Sequence, residues 1–169
     1  MQINSKLTGD LEKLSVKRFN ETGARVCNVL FRAKIDKQHA DTLLGVEFER
    51  IAFGGMEIGA EGQALFPCAT ITKPRLICES HTIRILGQDT VVIPEIPRIT
   101  PCDQEQAVIV DFVFPVLVND ATAPLVADLA TSVGDVVEVV FIAKQLELPG
   151  VRVLRQTKAF GNQVPAVIE

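Results

Sequence analysis

Ala24-Arg25-Val26-Cys27-Asn28-Val29-Leu30-Phe31-Arg32-Ala33-Lys34-Ile35 is the stretch from which the fold can be read. Successive side chains on a strand point to opposite faces. Cys27, Val29, Phe31, Ala33 and Ile35 therefore share one face, and Asn28, Arg32 and Lys34 share the other, with Val26 and Leu30 as apolar exceptions. One face reads as core and the other as surface, the pattern of an antiparallel sheet covered on one side.

Working outward, Leu11 to Phe19 reads as a second strand, and Asn20-Glu21-Thr22-Gly23 supplies the turn between the two. The pair is expected to be an antiparallel hairpin. Downstream, Asp36 fits a helix N-cap, with Ala40, Leu43 and Leu44 at helical spacing and Gly45 as the stop. Residues 53–62 contain four glycines and read as a loop or a flexible hairpin, in which Phe53, Met56 and Ile58 would need a partner to dock on. His81 to Leu86 alternates as a strand. Pro94, Pro97 and Pro101 mark an edge strand or arm, because proline cannot donate to a central ladder.

Ala107 to Val118 is nearly all apolar, as expected of a strand covered on both faces or packed in an oligomer, with Pro115 as a bulge or edge mark. Asn119, Asp120 or Thr122 can cap a second helix whose stripe is Leu125, Val126, Leu129 and Val133, ended by Gly134. Val136 to Ala143 and Val151 to Leu154 read as further strands. The fold expected is α+β: mostly antiparallel β-sheet with two short covering helices, a two-sheet sandwich or an open barrel being the alternative arrangements. Residues 1–160 are expected to form one globular domain, and 161–169 a loose tail.

The 169 residues carry a net charge of −4 and are 47% hydrophobic, which excludes a disordered chain. Charge is unevenly distributed. Residues 1–37 hold eight basic and four acidic side chains, residues 38–142 five and fifteen, and residues 143–169 four and two. Basic ends flank an acidic middle, so the ends would make a local basic patch if they met. No apolar run is long enough to span a bilayer. The N-terminal residues lack the apolar middle of a signal peptide, so a cytoplasmic protein is expected.

Chemistry is sparse. Cys27, Cys68, Cys78 and Cys102 have no zinc-ligand spacing and are expected to be reduced thiols. The glycines of 53–62 match neither GxGxxG nor GxxxxGK[ST]. His39 and His81 form no HExxH pair, and Ser80 and His81 are adjacent and would point apart on a strand. Cys78 with His81, and the carboxylate pairs Glu57/Glu61 and Asp103/Glu105, are the remaining arrangements for catalysis. No catalytic residue, metal ligand or cofactor is assigned.

The primary expectation is a non-enzymatic binding or assembly protein acting through its surface as a homo-oligomer, with an unidentified protein partner and no membrane. The alternative is a single-stranded nucleic-acid-binding domain that uses Lys17, Arg18, Phe19, Arg25, Arg32 and Lys34 of the first hairpin, extended by Arg152, Arg155 and Lys158. Arg32 and Lys34 would track the phosphate backbone together, and replacing both with Glu should leave the fold intact. An unrecognised enzyme is the third class.

Overall fold

The computed structural model describes residues 5–18, 21–67, 69–76, 78–102 and 104–142. The first hairpin is present and longer than its apolar pattern: β1 spans Ser5–Arg18 and β2 spans Arg25–Asp36, paired antiparallel. Buried and more exposed residues alternate along β2 from Cys27 to Asp36, with Cys27, Val29, Phe31, Ala33 and Ile35 all inward. The long apolar run forms β9, Ala107–Val118, which pairs with β2 along its whole length from Asp36↔Ala107 to Arg25↔Val118.

Around this centre lie β10 (Val136–Ile142) on β1, β6 (His81–Ile85) on β10, β7 (Gln88–Val92) on β6, β8 (Glu95–Pro101) on β9, and the short β5 (Ile71–Thr72) on β8. The order is β5-β8-β9-β2-β1-β10-β6-β7, and every pairing is antiparallel. All the long strands thus belong to one sheet rather than two facing sheets. β7 and β8 stand near opposite ends of that order, yet only Ile93 and Pro94 join them. Three Cα steps reach about 11 Å, so the sheet must curl until its ends nearly meet. No ladder joins β7 to β8, so the barrel is left open.

The inner face of the curl holds the core. Phe31, Phe112, Phe114 and Phe141 are buried together, with ring centroids of contacting pairs 5.6 to 6.2 Å apart. Gly9 of β1 faces the same interior beside this group. A Cβ there would run into the Arg32 carbonyl oxygen and would lie 2.9 Å from Phe31 Cζ. The missing side chain is what lets the Phe31 ring close against β1.

The prolines fall where the ladder tolerates them. Pro97 lies at the register shift of β8 between Glu95 and Arg98. Pro115 pairs opposite Asn28 without any shift in register, beyond Val113, the last β9 residue alongside β8. It is therefore an edge mark and not a bulge.

Among the described residues three short helices are present where two were expected: α1 (Lys37–Leu44), α2 (Val46–Phe53) and α3 (Ala123–Ser132). Asp36 is the N-cap of α1 but its carboxylate makes no capping bond. The Lys37 amide donates instead to the Gln106 carbonyl at 2.9 Å, because β2 runs straight into the helix beside the start of β9. Gly45, at φ 92°, ends α1 and begins α2. Glu47 and Arg50 pair across one turn of α2, while Phe48, Ala52 and Phe53 are buried. Leu125 and Leu129 of α3 join the core, and Gln88 donates to Asp128 at 2.7 Å, tying α3 to β7.

The glycine segment is a small hairpin of β3 (Glu57–Ile58) and β4 (Ala64–Leu65). Phe53 is buried at the end of α2 with its ring 6.2 Å from Phe66, and Met56 packs against the core. Neither needs a partner in order to dock; only Ile58 stands exposed. The expected Val151–Leu154 strand and the tail 161–169 lie outside the described residues.

Candidate functional surface

β10 covers β1 only from Ser5 to Asp10. Past Asp10, residues 11–18 of β1 continue with β2 and the end of β9, and no other described strand flanks them. Past Val113, β9 has likewise lost β8. A three-stranded ribbon therefore projects beyond the rest of the sheet. Val16 is 59% exposed on it and Leu117 is 51% exposed.

The basic residues of the hairpin divide into two groups. Arg32 and Lys34 share the outer face, as alternation requires, but both are engaged by acids. Arg32 Nε donates to Asp111 Oδ1 at 2.7 Å, and its Nη1 reaches Glu12 Oε1 at 3.2 Å. Arg98 Nε donates to the other oxygen of Asp111 at 3.0 Å. Lys34 pairs with Glu105. Burial disfavours ionisation of Asp111, but hydrogen bonds from Arg32 and Arg98 outweigh it and hold the carboxyl below its usual value. Glu at position 32 would stand beside that buried carboxylate, so the expectation that it leaves the fold undisturbed is corrected.

Lys13, Lys17, Arg18 and Arg25 form the other group. All four are exposed, and none has an ion pair among the described residues. Arg18 and Arg25 are direct cross-strand partners at the tip. Like charges placed directly opposite each other oppose strand pairing. Phe19, Arg152, Arg155 and Lys158 lie outside the described residues.

At the other end of β2, a cavity of about 520 Å³ opens between α1, α2 and the segment before β6. Phe48, Leu76, Ile96 and Phe141 contribute apolar lining, and Asp41 and Glu79 contribute carboxylates. Both carboxylate residues are exposed and lack an ion pair among the described residues. Among the described residues no Lys or Arg lines the cavity. His81 sets its ring edge-on to Phe141 at 5.8 Å, with Nδ1 2.7 Å from the Glu79 carbonyl oxygen, the geometry of a donating Nδ1–H.

Cys78 and His81 line this same cavity, so the structure brings that pair to one site. Burial, reinforced by the charge of Glu95, pushes the Cys78 thiol up. A nucleophilic cysteine needs the opposite shift. His39 lies in a separate cleft of about 370 Å³ that also includes Lys6 and Lys34. Glu57 and Glu61 are exposed, Glu105 is taken by Lys34, and Asp103 is outside the described residues. Among the described residues no group of three or more His, Cys, Asp or Glu side chains could hold a metal ion, and no helix is long and apolar enough to cross a membrane. Compared with protein-family models, with curated proteins and with solved structures, the chain matches none.

Proposed function

We propose that this chain is a non-catalytic binding and assembly protein that works through its surface as a homo-oligomer. The observation that carries the reading is the projecting ribbon. One face of it presents Leu117 with Lys13 and Lys17, and the other presents Val16 with Arg18 and Arg25, four cations that have no acid partner among the described residues, on a protein whose net charge is negative. Apolar side chains rimmed by charge are the composition of a contact surface. Val91 and Ile93, exposed at the β7–β8 junction, offer a second apolar position. Light scattering at tens of micromolar protein tests the reading: a mass above 18.4 kDa is expected, and a monomer refutes it.

A second reading is single-stranded nucleic-acid binding, favoured by the same free cations. Its phosphate contacts would come from Lys17, Arg18 and Arg25 rather than from Arg32 and Lys34, whose charges are already matched by acids. Each phosphate contact removed would lower the salt dependence of binding by about 0.7 in slope. A gel shift at low salt distinguishes this reading, and no retardation by the parent protein refutes it.

A further inference from the structure

The cationic tip and the carboxylate-rimmed cavity lie at opposite ends of the same strand. β2 begins at Arg25 and runs into α1 at Lys37. Eleven residue steps at 3.3 Å separate Arg25 from Asp36 by roughly 36 Å, too far for the tip to reach the cavity of its own chain. We propose that the β1–β2 tip of one copy docks into the α1–α2 cavity of the next, so that this chain assembles head to tail. The inference rests on the homo-oligomer reading above and specifies its contact.

Three observations select a second copy as the occupant. The charges are complementary: the tip offers Arg18 and Arg25, and the cavity offers Asp41 and Glu79 with no lysine or arginine in its lining among the described residues. The cavity lining includes the half-buried Leu43, Leu44 and Leu76, apolar surface on which the methylene stems of arginine side chains pack. The direct Arg18–Arg25 opposition is unfavourable in the free chain and is relieved when carboxylates come between the two. At about 520 Å³ the cavity is within the size range of sites that enclose a ligand, about 300–1,000 Å³. A contact between two different surfaces is heterologous, so copies add in one direction and give either a ring or an open filament.

The test is a charge reversal made on each side separately and then combined. R18E/R25E reverses the tip, and D41K/E79K reverses the cavity rim. All four side chains are exposed, so both variants are expected to melt with the parent. Each alone should fall to the 18.4 kDa monomer in light scattering. An equimolar mixture should reassemble, because each reversed surface then meets its complement on the other variant. A parent that is oligomeric while either variant keeps its mass, or while the mixture stays monomeric, overturns the docking and leaves the homo-oligomer reading standing. A monomeric parent at tens of micromolar in low salt overturns both. Loss of oligonucleotide retardation in R18E/R25E with no change in mass overturns the docking and assigns the tip to nucleic acid.

Discussion

Replacing Asp111 with Ala tests whether the outer-face network holds the sheet. Asp111 sits at the centre of β9, its side chain 8% exposed, receiving Arg32 from β2 at 2.7 Å and Arg98 from β8 at 2.8 Å. It thus joins three neighbouring strands. Removing one partner of a fully buried ion pair costs about 3–5 kcal/mol. Here the arginine side chains are 34% and 47% exposed, and once released both recover water. The loss is accordingly about 2 kcal/mol, in the range of hydrogen bonds to charged groups. For a chain of this size that corresponds to a fall in Tm of roughly 4–8 °C.

The pH dependence follows from the direction of the Asp111 shift. Its folded pKa lies below the unfolded value of about 3.9. The stabilisation is therefore complete above that unfolded value and disappears as pH falls through the folded one. Thermal melts of the parent and D111A at pH 7 and pH 3 provide the assay. The gap should be widest at pH 7 and narrow at pH 3. D111N, which keeps the shape and a hydrogen-bond acceptor without the charge, should fall between the two proteins. A D111A variant melting within 1 °C of the parent at pH 7, or a gap equally wide at pH 3, would refute the reasoning.

Other expectations follow from packing. Gly9→Ala should destabilise by about 1–3 kcal/mol, and shortening Phe31 to Leu should not rescue it, because the Arg32 carbonyl oxygen obstructs the new methyl as well; urea titration of the single and double variants decides. Leu129→Ala removes a fully buried side chain of α3 and should cost about 2–5 kcal/mol, read as a lower urea midpoint with unchanged slope. The Cys78 thiol, held up by burial, should react with a disulfide reagent more slowly at pH 7.5 than a free thiol; burst labelling at residue 78, located by mass spectrometry, would contradict this.

The parts of the fold legible in sequence are those with period two. β2 declares its inner face residue by residue, and β9 matches the bounds of its apolar run. α2 is masked in the sequence because it begins directly after Gly45, the glycine that reads as the stop of α1; its signal is the Glu47–Arg50 spacing before Phe53. The division of the hairpin cations into matched and free depends on register. Arg32 is matched because β9 places Asp111 opposite it and β8 brings Arg98 alongside. An acid inside an otherwise apolar run was the available hint that cations must converge there. The cavity had no local signature, since residues 41–45, 47, 48, 76, 78, 79, 81, 94, 96 and 141 meet only after the sheet curls.

The ribbon that projects past β10 leaves β1 from Glu12 to Arg18 without a strand on its outer side among the described residues, Leu11 being the last to bond the segment before β10, through Gly134 and Asp135. Such an open edge invites another strand to add to it, and lysine and arginine along it keep other edges away. Lys13, Lys17 and Arg18 therefore have a protective role that does not depend on any partner. Their repulsion acts over about 10 Å at 0.1 M salt and only about 3 Å at 1 M. Concentrated salt should thus separate two kinds of association, weakening contacts between opposite charges while lowering the barrier to strand addition along β1. The protein then has an upper limit of ionic strength for remaining dispersed, set by three side chains on one strand.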